Sequence, residues 1–173
     1  MKKVISLIIT ISLLTFFMAF HSTEAQAASY DKAYAAKTLT VKSSPGTSYK
    51  TLGKIKSGTS VKVYGGVPIG KDQDDWYSYQ QYGWSKIKYK NKYAWVKAHE
   101  LSYANPYNWV PGIKTKTINE IKKDYVSNKD KIKLEKSDIT GNMGYYVMYV
   151  QFNGKGKWNY LVSINCKTGW YHG

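Results

Sequence analysis

The middle of the chain is built from short segments in which apolar and polar residues alternate, and this pattern most constrains the fold. Val61 and Val63 flank Lys62, so the two valines share one face of a strand. Residues 84–89 and 93–96 form two further segments separated by a short turn, an arrangement typical of a β-hairpin. Several short strands in succession, with no helical period between them, predict a small β-barrel.

Two stretches of this region resemble the two halves of a bacterial SH3 domain. Residues 39–49 and 52–63 resemble the opening half, and residues 83–96 with the closing Leu101 resemble the second half. The resemblance covers residues 38–103. It implies a small SH3-like β-barrel that serves as a binding module at the bacterial cell envelope.

An inserted loop, residues 67–82, separates the two halves and is rich in acidic and aromatic side chains. Thr40 and Lys42 also depart from the family, which usually shows Asn and Arg at these two positions. Residues 44–46 read Ser-Pro-Gly where Gly-Pro-Ser is common in the family. These substitutions keep the turn chemistry of the family, but they weaken the carry-over of one particular ligand.

Aromatic rings on the barrel and its inserted loop, together with acidic residues of the loop, are the candidate ligand-binding residues. Tyrosine and tryptophan rings stack on peptides and sugars, and carboxylates pair with ligand amines. Alternation places Trp84 on the face opposite Ile87, so we expect Trp84 to point at least partly outward. The alternative is that Trp84 and Trp95 fill the barrel interior. The predicted ligand-binding residues are Tyr49, Asp72, Asp74, Asp75, Trp76, Tyr77, Trp84 and Trp95.

A second unit is predicted after a linker at residues 104–112, which contains two prolines and a glycine. Ile118 and Ile121 follow a helical period, and Thr117 with Glu120 predicts a capping box at the start of this helix. Three alternating segments then predict a three-stranded antiparallel meander. The predicted fold is mainly β, with a small SH3-like β-barrel followed by a small α+β unit of one helix and this meander.

The second unit, residues 113–173, resembles the PepSY-type domains of secreted bacterial proteins. The order of its elements and its closing residues 165–169, which end in Thr-Gly, carry the resemblance. Those domains tend to close with an Asp-x-x-Thr-Gly stretch, whereas Asn165 stands at the first position here. The resemblance implies an accessory role, such as the restraint of a secreted enzyme.

The first 27 residues have the parts of a secretory signal peptide. Lys2 and Lys3 precede an apolar stretch over residues 4–20, and small residues at the end predict cleavage after Ala27. The alternative is a retained membrane anchor, because the stretch has the minimum length for a span. Residues 28–37 are predicted to be a flexible leader. The cleaved protein would be secreted, extracellular or associated with the cell wall, and without a stable membrane span.

The charge of the chain is strongly positive and comes from lysine alone. All 26 basic residues are lysines, and the net charge of +15 falls to +14 when Lys2, Lys3 and Glu24 leave with the signal. Lysine is a flexible point charge, so the composition predicts attraction to polyanions such as teichoic acid rather than shape-specific recognition. The alternative is that the lysines serve solubility. Export excludes nucleic acid as the natural partner.

The sequence does not predict catalysis, a cofactor or a metal site. Cys166 is the only cysteine, and neither His99 nor His172 is expected to be held rigidly beside it as an activating base. A calcium loop that starts at Asp72 would need glycine where Tyr77 stands. The carboxylates of the inserted loop lie on a predicted loop, whereas glycoside hydrolysis needs two rigidly placed acids.

These observations predict a secreted, non-catalytic protein whose SH3-like barrel binds cell-wall peptide or glycan. Its expected partners are peptidoglycan or teichoic acid. The alternative is an interaction protein whose C-terminal unit restrains or localises a secreted enzyme, with the barrel as a localising module.

Overall fold

A computed structural model describes residues 30–68 and 82–173, and within them it shows two antiparallel sheets and one α-helix. The first sheet has seven strands in the order β3-β2-β6-β5-β4-β1-β7. These strands are β1 (Asp31–Ala35), β2 (Leu39–Lys42), β3 (Thr51–Ile55), β4 (Ser60–Val67), β5 (Trp84–Tyr89), β6 (Lys92–Lys97) and β7 (Leu101–Tyr103). The predicted signal peptide with its cleavage site at Ala27 lies outside the described residues, as does most of the inserted loop.

The second sheet follows the helix and has four strands in the order β11-β10-β9-β8. Its elements are helix α1 (Ile113–Tyr125) and strands β8 (Lys131–Thr140), β9 (Met143–Gln151), β10 (Asn159–Asn165) and β11 (Tyr171–His172). This arrangement confirms a mainly β fold with an SH3-like domain followed by a small α+β unit. The predicted three-stranded meander has a short fourth strand, β11, beside β10.

Helix α1 begins one turn earlier than its predicted capping box. Gly112, with a φ of 79°, precedes its first residue, and Thr117 lies buried inside the helix. Ile113, Thr117 and Ile121 recur every four residues and form the buried stripe of the helix. Thr117 also fits closely against Gly169, where an added Cβ would lie 2.5 Å from the threonine hydroxyl. The capping box is therefore wrong, because tertiary packing buries the threonine that was assigned to the cap.

Strand β1 replaces the flexible leader predicted for residues 28–37. It lies inside the first sheet, between β4 and β7, and pairs with both. Ala33 and Ala35 are buried, whereas Lys32 and Tyr34 are exposed. The alternation is thus present, but its inward residues are alanines, which have a low β propensity. The prediction of a flexible leader is wrong over residues 31–35.

The two sheets share one apolar core, so residues 104–112 are not a linker between separate bodies. The core that contains Leu39, Val63 and Leu101 extends to Val110, Ile113 and Met143. The backbone N–H of Val110 donates to the carbonyl of Cys166 at 3.2 Å. Apolar burial is the main favourable term in folding, so a shared core makes the two units fold as one. A second, smaller core joins Ile121 to the inner face of the second sheet: Met148, Val162 and Ile164.

A buried ion pair closes the contact between the two units. The Lys167 ammonium lies 2.6 Å from a carboxylate oxygen of Asp31, and the two side chains are 0% and 3% exposed. Its other donors reach the carbonyls of Asn105 at 2.9 Å and Asn108 at 2.5 Å. An ammonium group has three donors, so Lys167 is fully hydrogen-bonded in the interior. Its Nζ also lies 4.4 Å from the ring centre of Tyr103.

Among the described residues, no helix is both long and apolar enough to cross a bilayer.

Replacement of Lys167 by methionine is expected to destabilise the protein by about 3–5 kcal/mol, because Asp31 would remain as a buried charge without its partner. Chemical denaturation of the single variant would measure this loss. The double variant Asp31→Leu, Lys167→Met leaves no buried charge and is expected to be more stable than Lys167→Met. A single variant within about 1 kcal/mol of the wild type would contradict the structural role of the pair.

Candidate ligand-binding face of the SH3-like sheet

Five of the eight predicted ligand-binding residues lie outside the described residues. They all belong to the inserted loop, and their role stays a prediction. These residues are Asp72, Asp74, Asp75, Trp76 and Tyr77.

Trp84 lies on the strand face opposite Ile87, as expected, and shares that face with Lys86 and Lys88. It is nevertheless buried, with 7% of its surface exposed, so the expectation of an exposed ring is wrong. Lys88 is exposed and Lys86 is half-buried. Trp84 pairs with Val67 on one side and with Lys97 on the other. Alternation along a strand shows on which face a side chain lies, but it does not show whether other parts of the protein bury that face at a given position.

Tyr49 and Trp95 are both half-buried and both lie beside Lys42. Lys42 is the register partner of Trp95, and its ammonium donates to the carbonyl of Tyr49 at 3.0 Å. The same ammonium donates to the carbonyl of Thr47 at 2.7 Å and to the hydroxyl of Thr51 at 3.0 Å. Lys42 thus ties the loop that carries Tyr49 to the strand that carries Trp95.

The outer face of strands β1, β4, β5 and β6 carries an alternating set of tyrosines and lysines. The inward residues of these strands, such as Val61, Val63, Ile87, Ala94 and Val96, are buried, so their neighbours in sequence point outward. We name this surface the tyrosine–lysine face. Its members are Tyr30, Lys32, Tyr34, Lys62, Tyr64, Lys86, Lys88 and Tyr93, and Trp95 lies at its margin.

The rings of this face contact one another and the lysines between them. Tyr64 lies 6.0 Å from Tyr30 and 5.7 Å from Tyr93, measured between ring centres. Lysine Nζ atoms lie over these rings at cation–π distances. The ammonium of Lys62 is 4.5 Å from the Tyr30 ring, and that of Lys86 is 4.3 Å from the Tyr93 ring. The face is therefore a continuous layer of rings and ammonium groups.

The register brings lysines from three strands side by side. Lys32 on β1 is the direct partner of Lys62 on β4. Val63 pairs with Ile87, so Lys62 lies beside Lys88 on β5. Within residues 30–68 and 82–173, the ion pairs of the protein involve other lysines, and no carboxylate lies within 4.0 Å of these three. Like charges directly opposite each other destabilise a sheet, so the arrangement favours an anionic ligand.

A groove of about 400 Å³ adjoins the lysines of this face. Lys62, Tyr64 and Lys88 belong to both the face and the groove, and Tyr89 lines the groove from β5. The Tyr89 ring lies so close to Gly53 on β3 that an added Cβ would clash with its hydroxyl oxygen. Gly53 thus allows the ring to pack against the neighbouring strand.

Sequence reasoning did not identify Tyr30, Tyr64 and Tyr93 as candidate ligand-binding residues. Each tyrosine is the direct neighbour in sequence of an inward residue, and in a strand this position predicts an outward ring. Their assembly into one surface depends on strand pairing between segments that lie about thirty residues apart. Pairing at this distance is not encoded in any local motif.

The chemistry around Cys166 does not favour a nucleophile. Its thiol is buried, and its Sγ lies 3.1 Å from the carbonyl oxygen of Pro106 and 3.4 Å from that of Asn108, so either carbonyl can accept its one S–H. Burial raises the pKa of Cys166 to about 11, so the thiolate is scarce at neutral pH. His99 lies against Tyr82 with the two rings tilted by 51°, and His172 lies against Trp170. In the described part of the chain, no group of three or more potential metal ligands comes together.

Two families of known proteins match the chain. The bacterial SH3 domain matches residues 37–102, close to the predicted range, and the MapZ extracellular C-terminal domain 2 matches residues 85–173. The second match covers the unit in which a PepSY-like domain was predicted, and that resemblance stays a prediction. No curated protein and no solved structure gives a significant match.

The two matches overlap over residues 85–102, which include β5 except its first residue, all of β6 and the start of β7. This overlap agrees with the apolar core that the two units share. Both matches point to an extracellular protein with a binding role at the cell envelope. The chain contains a bacterial SH3 domain and, because the second match spans more than half of it, belongs to the family of the MapZ extracellular C-terminal domain 2.

Proposed function

We propose that this protein is a non-catalytic binding protein of the cell envelope whose SH3-like domain binds cell-wall peptide or glycan on the tyrosine–lysine face. The observation that carries the proposal is the row of outward rings on this face. The centre of the Tyr64 ring lies 6.0 Å from that of Tyr30 on one side and 5.7 Å from that of Tyr93 on the other, and Tyr93 is 52% exposed. Exposed aromatic surface with a polar rim marks binding sites for peptides and sugars.

Two features of the sheet support this use of its outer face. The inner face is already occupied by the shared core, so the rings on the outside are not needed to fill the interior. The predicted ligand-binding residue Trp95 adjoins Lys86 of the same face, its register partner on β5. The ligand would thus lie across neighbouring strands and contact several rings.

Tyr93→Ala is expected to weaken binding to purified peptidoglycan sacculi about fivefold, which corresponds to about 1 kcal/mol for one stacking ring. Tyr125→Ala is the matched control, because Tyr125 is 55% exposed on helix α1. Co-sedimentation of both variants with sacculi over a range of concentrations measures the effect. Equal binding by the wild type and both variants would show that the rings of the face do not contact the wall.

The reactivity of the Cys166 thiol provides a first test of the proposal that the protein is not a catalyst. Its pKa is raised from 9.0 to about 11, so thiolate forms in the folded protein only as the pH approaches 11. At pH 8 the folded protein is therefore expected to react with Ellman's reagent at least about 100-fold more slowly than the unfolded protein. Fast labelling of the folded protein would contradict this and reopen a catalytic role.

Zymography on cell walls tests for any other hydrolytic activity. We expect no lysis by the purified protein. Lysis that survives Cys166→Ala and is lost when Asp74 and Asp75 are replaced would identify an enzyme of a different kind.

The second candidate function is the restraint or localisation of a secreted enzyme by the C-terminal unit. The observation that favours it is the face of the second sheet opposite helix α1. There Lys133, Tyr149 and Tyr160 are register partners across β8, β9 and β10. Trp158 and Tyr160 are 36% and 50% exposed, and Lys133 lies 5.0 Å from the Trp158 ring. A second protein would cover these rings.

Trp158→Ala in the full chain is expected to abolish co-purification of a hydrolase or protease from culture medium and to relieve its inhibition. Tyr125→Ala serves again as the control. The full chain is needed because the two units share a core. An enzyme that is captured and inhibited equally by both variants would contradict a role for this face.

A further inference from the structure

Three lysines of the tyrosine–lysine face form a row that no contact within the described protein neutralises. Lys32 and Lys62 are direct partners, and Lys88 lies beside Lys62 on the next strand. Neighbouring strands lie about 4.8 Å apart, so the row places one positive charge at each strand spacing. All three lysines are exposed.

The tyrosines hold these ammonium groups over the face rather than removing their charge. Lys32 lies 5.3 Å from the Tyr34 ring, and Lys88 lies 5.4 Å from Tyr64 and 5.7 Å from Tyr93. An exposed cation–π contact offsets only about 0.5–1 kcal/mol, and it leaves the full charge on the lysine. The charges therefore remain available to a ligand.

The choice of lysine indicates which kind of anion fits. The bidentate fork of arginine recognises a single carboxylate or phosphate by shape, whereas lysine contributes a flexible charge. A row of lysines recognises the spacing of charges along a chain. A neutral glycan strand would leave the row uncompensated, and an isolated carboxylate would neutralise only one of its members.

We propose that the ligand of the tyrosine–lysine face is a phosphodiester polymer of the cell wall, of the teichoic acid class, whose phosphates lie along Lys32, Lys62 and Lys88. The inference rests on the proposed function and narrows the wall glycan of that function to an anionic glycopolymer bound at the same site. The rings between the lysines would contact the sugar or polyol units of the polymer.

The test compares two triple variants that lose the same charge. The row variant carries Lys32→Gln, Lys62→Gln and Lys88→Gln. The control variant carries Lys114→Gln, Lys122→Gln and Lys129→Gln, which are exposed lysines of helix α1 and the turn after it. Binding of purified wall teichoic acid is measured by calorimetry at two salt concentrations. The row variant is expected to bind at least about tenfold more weakly, and the control less than threefold.

Salt dependence and stability give two independent readouts. Release of counterions makes the logarithm of the affinity for a polyanion fall linearly with the logarithm of the salt concentration. The slope of this line is expected to be smaller in the row variant than in the wild type by about two to three. Loss of the repulsion between Lys32 and Lys62 is expected to leave the row variant no less stable than the wild type. A row variant that melts well below the wild type would show instead that the lysines serve the fold.

Binding to sacculi separates this inference from the proposed function. With intact sacculi the row variant is expected to bind more weakly than the wild type, and with acid-stripped sacculi the two are expected to bind equally. An equal loss of teichoic acid affinity in the row variant and the control variant would show that only net charge matters, and it would overturn the inference. Row-dependent binding to vesicles of phosphatidylglycerol, without binding to teichoic acid, would assign the row to a membrane surface and also overturn it.

Different binding results distinguish a failure of this inference from a failure of the proposed function. If the wild type binds stripped and intact sacculi equally and the row variant is unaffected, the inference fails and the proposed function stands. If the wild type binds neither kind of sacculi, both fail.

Discussion

The ion pair between Lys167 and Asp31 is the interaction on which the arrangement of this protein depends. It joins the first strand of the SH3-like sheet to the last turn of the chain, and both side chains are buried. A buried charge is costly unless it is paired and fully hydrogen-bonded, and Lys167 meets this condition with the carbonyls of Asn105 and Asn108. The pair therefore requires three distant segments to be in place together. One family match likewise runs from β5 through the α+β unit without a break at residues 104–112.

The same pair also positions the candidate binding face. Strand β1 carries Asp31 inward and Lys32 and Tyr34 outward, so the anchor and two members of the tyrosine–lysine face alternate on one short strand. Tyr30 directly precedes it and meets Tyr64 on β4. The C-terminal unit thus contributes to the face without lying on it, because its Lys167 holds the strand that completes the face.

Much of the fold was predictable because its signals are local. The hairpin of β5 and β6 and the helix around Ile121 follow directly from alternation and from a helical period. Strand β1 was missed because its inward residues Ala33 and Ala35 are alanines. The expected exposure of Trp84 was wrong because tertiary packing decides whether a strand face is covered. Lys167 stands in a lysine-rich sequence in which nothing marks it as buried. The binding face was missed because its rings come together only through the register of distant strands.

The division of the SH3-like sheet into two faces explains how this chain carries so much positive charge and still folds. Val61, Val63 and Ile87 point inward and supply the apolar burial that stabilises the strands. Their neighbours Lys62 and Lys88 point outward, where solvent screens their repulsion and tyrosine rings offset part of it. The core does not depend on these lysines, since their charges face away from it. The outer face is therefore free to serve recognition. Among the described residues, Lys167 is the one buried lysine, and it is paired with Asp31, the one buried carboxylate.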